Sequence, residues 1–382
     1  MIGISRGRGL STLVSIQYLR AFAAFIVVYY HIFSNRVAED WSGGRNIGLS
    51  GVDIFFVISG FIMWTSTNHR GGLVKFLKRR IYRVYPMWWI ALTLWIVIRL
   101  ILPDRLQNRD ITVDTLICSY LLVPHFHHVF VGQVWPILVP GWTLQIEIFF
   151  YAIFSVTLLI ADRTTRLVTV VVALCAFAIL GSLVPAGSAL LETYTSSLLL
   201  EFAAGAILAA MMLNLQRAPF GIGVIVVTIG LVLIVFNYRL IVEEGVRRVL
   251  VLGIPAILIV AGSLVMEPVL ARRPSRILLL FGDASYSLYL THSVAISAAA
   301  VIWERLHLPM GRSVGATGFI PCALIASLVF AVIVYRFVEM PILAMLLPSR
   351  GGVHIAALPE ATLSDEPMEA PPAILAPGNK QG

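Results

Sequence analysis

Apolar residues fall in runs too long for the helices of a soluble core and too uninterrupted for strands. A helix that crosses a bilayer needs about 20 mostly apolar residues. The pattern supplies about ten such runs: 13–34, 48–66, 84–102, 141–161, 167–185, 193–213, 220–237, 248–267, 277–302 and 315–338. A shorter run at 115–124 reads as re-entrant or interfacial. The connection 103–140 is punctuated by Pro103, Pro124, Pro136 and Pro140. Residues 351–382 are rich in Pro, Ala and Glu without periodicity, which predicts a disordered tail. The expected organisation is a short N-terminal segment (1–12), one transmembrane domain (13–350) and that tail, with no internal repeat. The fold class is all-α, a polytopic helical bundle.

Polar residues interrupt the first run in a pattern of their own. LVSIQYLRAFAAFIVVYYHIF (13–33) carries Arg20 near its middle and His31 near its end. An arginine deep in a spanning helix costs roughly 2.5–3.5 kcal/mol on insertion scales. Each residue turns the helix by about 100°, so Gln17, Arg20, Ala24 and His31 share one face. A polar stripe of this kind belongs inside the bundle and marks a functional site.

Composition agrees: 59% of the 382 residues are hydrophobic and 13% are charged, against about 25% charged in a soluble domain. The net charge of +8 does not point to nucleic acid, because the basic residues gather at helix ends. Cys118, Cys175 and Cys322 are widely spaced in apolar surroundings and read as packing residues. The apolar run behind the basic N-terminus exceeds a signal-peptide core and has no small-residue cleavage site, so it reads as a retained span.

Basic residues orient the chain, because cytoplasmic loops are enriched in Lys and Arg. With the N-terminus inside and the spans alternating, 17 of the 28 Lys and Arg fall on the cytoplasmic side and 10 on the other. Both termini are then cytoplasmic. Arg20 lies in the inner half of its span. His31, Asp53 and Glu147 fall at matching depth near the outer face, where either carboxylate would orient the histidine. The segment KFLKRRIYRVYP (75–86) lies on the cytoplasmic face, and its Arg79, Arg80 and Arg83 suit phosphate oxygens. In FGDASYSLYLTH (281–292), Ser285, Tyr289 and His292 form a helical stripe that reads as a cavity lining, with Tyr286 on a neighbouring face. Histidines 125, 127 and 128 lie in a loop without cysteine or carboxylate at ligand spacing, so no metal site is expected. No Walker loop, dinucleotide fingerprint or GxSxG elbow occurs.

Taken together these segments resemble the membrane-bound acyltransferase type 3 family, in order and across most of the chain. Arg20 and His31 match its Arg-x10-His. GLSGVDIFFVISGFIM resembles its FFVxSGF segment, KRRIYRVYP its RRxxRxxP, WTLQIEIFFY its WxLxxExxFY, FGDASYSLYLTH its SYxxYLxH and RFVEMP its FVExP. Two departures occur: no proline follows His292 at the second position, and Met340 stands where a basic residue is common. The resemblance implies transfer of an acyl group, usually acetyl from acetyl-CoA, to a hydroxyl of an envelope glycan, secreted polysaccharide or small acceptor, the glycan free or as a lipid-linked oligosaccharide. It is closest to the stand-alone branch acting on bacterial exopolysaccharides, including succinoglycan-type acetyltransferases. That places the chain in the bacterial inner membrane, beside other polysaccharide-assembly proteins. The implied roles are His31, Glu147 and Asp53 in catalysis, Arg20, Arg79, Arg80 and Arg83 on the donor, and Ser285, Tyr286, Tyr289 and His292 around the acceptor. Two rival readings of the same intramembrane charges are a proton-coupled or lipid-linked-substrate transporter and a scaffold subunit of an export complex.

Overall fold

The computed structural model describes residues 13–33, 45–66, 72–101, 110–184, 187–237, 240, 245–309 and 314–347. The expected N-terminal segment and tail lie outside the described residues. The described residues form a bundle of α-helices, and no strand occurs among them. In chain order the helices are α1 (Val14–Ile32), α2 (Ser50–Ser66), α3 (Gly72–Ile101), α4 (Val113–Leu121), α5 (Gly141–Thr157), α6 (Arg163–Leu183), α7 (Ala189–Tyr194), α8 (Leu199–Leu215) and α9 (Phe220–Asn237). There follow α10 (Val246–Leu270), α11 (Arg276–Asp283), α12 (Ser285–Arg305), α13 (Val314–Val334) and α14 (Met340–Leu346). A π-helical turn, Tyr335–Glu339, joins the last two.

Eight helical stretches among the described residues are long and apolar enough to cross a membrane. Each overlaps an expected run. Of the other two runs, the first is α1, whose Gln17, Arg20 and His31 dilute its hydropathy. The second is α5, which at 17 residues is short. Both are core elements. α1 packs against α2, α10, α11, α12 and α13, and Ala23, Ala24, Val28 and Ile32 are buried. The neighbours that enclose α1 supply partners for polar groups that lipid would not.

Three expected boundaries shift. The basic segment 75–86 is the first half of the 30-residue α3 and runs through Pro86, rather than forming a loop ahead of a span. The run 277–302 breaks at Ala284 into α11 and α12. At the break, Gln17 Nε2 on α1 donates at 3.1 Å to Oδ1 of Asp283, the last residue of α11. The run 193–213 likewise divides into α7 and α8.

Small residues set the closest approaches. On α2 a Cβ at Gly60 would stand 2.1 Å from the Phe202 carbonyl oxygen of α8. Reciprocally, a Cβ at Gly205 of α8 would stand 2.0 Å from the Val57 carbonyl oxygen. Only glycine lets these backbones touch. α1 has no side-chain cap of its own. Glu267 of α10 caps it instead, accepting from Val14 N–H at 2.9 Å and Ser15 N–H at 2.7 Å. A carboxylate there meets the positive end of the helix dipole.

Candidate functional site

α1, α3 and α12 each carry one polar group toward one end of the bundle and another about ten residues further on. Arg20 and His31 are separated on α1 by about 16 Å of helix rise. Arg83 and Trp95 stand apart in the same way on α3, as do Tyr286 and Ser297 on α12. The first member of each pair belongs to a charged cluster, and the second lines a chamber.

The cluster is assembled from distant segments. Arg83 pairs with Glu339, which sits in the π-helical turn and is fully buried. Ser287 Oγ donates to the other Glu339 oxygen at 2.5 Å. The Arg83 guanidinium lies 5.3 Å from the Tyr286 ring, and Tyr286 donates its hydroxyl to the Val84 carbonyl at 2.8 Å. Arg80 stacks between Phe76 and Tyr151 at 5.6 and 5.7 Å and donates to Ser66 Oγ at 3.0 Å. Glu147 Oε1 accepts from Tyr151 at 2.6 Å and Ser59 at 3.0 Å. Arg20 donates to Gln17 Oε1 at 3.3 Å and faces Arg83, Asp283 and Glu339. Three guanidiniums (Arg20, Arg80, Arg83) thus face three carboxylates (Glu147, Asp283, Glu339), as buried charges require.

The chamber has a volume of about 760 Å³. His31, Tyr30, Trp95, Trp135, Trp142 and Tyr289 line it, together with Gln133, Gln145, Glu192 and Ser297. Broad aromatic faces with scattered hydrogen-bonding groups suit a ligand that is apolar on its faces and hydroxylated at its edges. The segment 110–140 forms part of the wall and is tied down from behind. Arg99 at the end of α3 pairs in two-fork fashion with Asp110. His127 Nε2 donates to Asp110 at 3.2 Å, and its Nδ1 accepts the Val129 and Phe130 N–H groups at 3.1 Å. Both ring nitrogens are therefore used by a neutral imidazole. Burial alone would raise the Asp110 carboxyl, but the Arg99 guanidinium outweighs it and holds the carboxyl below its ordinary value. Burial likewise lowers His127.

The expected layer of His31, Asp53 and Glu147 is not formed. Asp53 is fully buried and pairs with Arg248 of α10 at 2.9 and 3.1 Å. Glu201 of α8 lies against both. Arg248 in turn lies 5.8 Å from the Trp142 ring, at the chamber wall. Glu147 belongs to the charged cluster, as the contacts above show. The neighbour of His31 is another imidazole. The rings of His31 and His292 stand 4.7 Å apart, tilted by 39°.

The other expected residues also divide. Arg80 and Arg83 turn inward, whereas Arg79 is exposed beside Lys75 and Lys78. Tyr289 reaches the chamber and bonds Thr143 Oγ1 at 2.7 Å and the Pro140 carbonyl at 2.9 Å. Tyr286 belongs to the charged cluster, and Ser285 is buried at the α11–α12 break. Glu339, Arg248 and Glu201 were not singled out from sequence. Each is an ionisable residue in or at the edge of an apolar run, the same signal that exposed Arg20. Arg248 stands beside Arg247 at the start of the run 248–267, where a charge reads as part of the loop, and Glu339 lies within RFVEMP.

Comparison with known proteins rests on the whole span of this bundle. The profile of a family described as an acyltransferase domain matches residues 13–336. The chain belongs to this acyltransferase family. It is 34% identical over 318 residues to the exopolysaccharide production protein ExoZ of Rhizobium meliloti (strain 1021), covering 81% of this chain and 93% of that protein. Acyltransferase MdmB of Streptomyces mycarofaciens is 28% identical over 156 residues, covering 37% and 38% of the two chains. A putative acetyltransferase, ORF330, of Acidianus two-tailed virus is 24% identical over 164 residues, covering 42% and 46%. No solved structure matches. The protein is thus a multi-pass membrane acyltransferase, and the match encloses both the charged cluster and the chamber, apart from the last residues of the π-helical turn.

Proposed function

We propose that this acyltransferase moves an acetyl or similar short acyl group from acyl-CoA to a hydroxyl of an exopolysaccharide or its lipid-linked precursor, in the bacterial inner membrane. The observation that carries the reading is the His31 ring at the wall of an aromatic-lined chamber, about 16 Å along α1 from Arg20 and its neighbouring guanidiniums. The name of the rhizobial relative supports an exopolysaccharide acceptor. Arg79, Lys75 and Lys78 supply an exposed positive face for the donor's phosphates, and Arg80 and Arg83 lie deeper along the same helix. Arg20 holds the inner end of the path through its neighbours on α11 and the π-helical turn.

His31 acts as the base. A neutral imidazole removes the proton from the acceptor hydroxyl as its oxygen attacks the acyl carbonyl. The C–S bond breaks, and the proton passes to the departing thiolate. Tryptophans 95, 135 and 142 offer faces for sugar rings, and the Arg99–Asp110–His127 network keeps the wall they share with Gln133 in place. Asp53 holds Arg248, and Glu147 holds Tyr151 and Ser59, and they thereby hold the helices that carry the site.

Two measurements test this. Mass spectrometry should find O-acyl groups on the polysaccharide of a strain restored with the intact chain, and none on that of a deletion strain. His31→Ala should insert normally and lose roughly 10²–10⁴-fold in transfer rate, the usual worth of a general base. Full acylation by a well-inserted His31→Ala chain would overturn the role of His31.

A further inference from the structure

His292 is fully buried, and its two ring nitrogens are treated differently. Nδ1 lies 2.7 Å from the Tyr289 carbonyl oxygen and 3.3 Å from that of Leu288. Carbonyl oxygens only accept, so Nδ1 carries the proton. Nε2 then presents a lone pair, and that buried atom has no hydrogen-bond partner. An unmet buried acceptor is unfavourable and rare. The ring beside it is His31, at 4.7 Å between centroids. No hydrogen bond joins Nε2 to the His31 ring as it stands, but ring nitrogens lie at the perimeter, and at this spacing a turn of the His31 ring points one of its nitrogens at Nε2.

We propose that His292 is the positioning residue for His31, its Nε2 accepting the second N–H of the imidazolium formed when His31 removes the acceptor proton. The proposal rests on the reading of His31 as the base. A histidine base usually leans on a carboxylate, but both candidate carboxylates are engaged elsewhere: Asp53 with Arg248, and Glu147 with Tyr151 and Ser59. The orphaned nitrogen of His292 supplies what they do not.

A neutral acceptor can take the carboxylate's place here. An imidazole lone pair gains most when His31 becomes charged, so the interaction strengthens in the transition state. The step balances. The hydroxyl proton goes to His31, the O–C bond forms, the C–S bond breaks, and the thiolate takes the proton back. His31 and His292 return to their resting forms. Tyr289 completes the arrangement, since its own carbonyl fixes the His292 tautomer while its hydroxyl is held by Thr143 and Pro140.

The test uses the full chain in lipid nanodiscs, with labelled acetyl-CoA as donor and base-deacylated polysaccharide from a deletion strain as acceptor. His292→Ala should lower kcat roughly 10- to 100-fold, less than loss of the base itself. The KM for acetyl-CoA should stay within about twofold of the intact chain, because binding is not disturbed. Added imidazole should restore part of the rate. His292→Gln, whose amide oxygen can accept, should be faster than His292→Leu, which cannot. The Gln and Leu pair carries the test if the alanine chain fails to insert. A wild-type kcat in His292→Ala would overturn the proposal. So would equal rates for Gln and Leu. Wild-type transfer by His31→Ala, or none by the intact chain, would instead overturn the underlying reading, and the proposal with it.

Discussion

Glu339 has a polar environment that its immediate sequence does not announce. It follows a phenylalanine and a valine, precedes Met340 and Pro341, and is fully buried. Its two oxygens serve Arg83 and Ser287. Removing one partner of a buried ion pair costs about 3–5 kcal/mol, because the other charge is left without compensation. Glu339→Gln should therefore lower the thermal midpoint and the amount of folded protein in detergent by gel filtration. Arg79→Gln, at an exposed position next to Arg80 on the same helix, should leave both unchanged. Equal behaviour of the two variants would contradict the assignment of Arg83–Glu339 as an internal pair. At this scale the sequence marked Arg20, His31, Asp53 and Glu147 correctly as unusual, because an ionisable group in an apolar run stands out. It paired them wrongly. Depth along a helix does not specify which neighbour lies across from a side chain.

Helices were legible because apolar runs of 17 to 30 residues have no other stable form in lipid. Their interruptions were less so. A basic stretch such as 75–86 reads as a loop by charge, yet it continues α3 because Phe76, Val84 and Met87 bury one face while Lys75, Lys78 and Arg79 take the other. Contacts between helices yield sharper expectations. Gly60→Leu or Gly205→Leu must separate α2 from α8, since even a Cβ would overlap a backbone oxygen. Overpacking of this kind typically costs about 1–3 kcal/mol, and more is expected where backbone is the obstacle. A thermal-shift series should rank both below Gly221→Leu, a site with open space around it. The anchored loop predicts a pH response. Asp110 is held below 3.8, so its contribution is complete above that pH and is lost as the pH falls through its lower folded value. His127 is held below 6.5, so under that pH the detached loop binds a proton that the anchored loop resists. Both effects loosen the loop in acid. Amide protection over 127–133 should decline between pH 7 and 5 in the intact chain, and should already be low at pH 7 in Asp110→Asn. Protection that is flat with pH would count against the network.

Across the whole molecule, the charged cluster and the chamber lie at different depths along α1, α3 and α12. The proposed orientation puts the exposed Arg79 inside and the exposed loop tip at Val131 outside. Single cysteines at these positions, in a chain with Cys118, Cys175 and Cys322 replaced, should react from opposite sides with a membrane-impermeant maleimide. In intact spheroplasts Val131→Cys should label and Arg79→Cys should not, and lysis should reverse the second result. Labelling from the same side would remove the separation of donor and acceptor faces. The sequence by itself determined the class of molecule, the run of helices and the identity of most ionisable groups inside them. Each of those follows from local composition and from the cost of placing charge in lipid. The tertiary structure alone decided the partners: Arg83 with Glu339 across 256 residues, Arg248 with Asp53 across 195, and His31 with His292. Helical periodicity fixes the face a side chain occupies, but which face it meets depends on how distant helices pack.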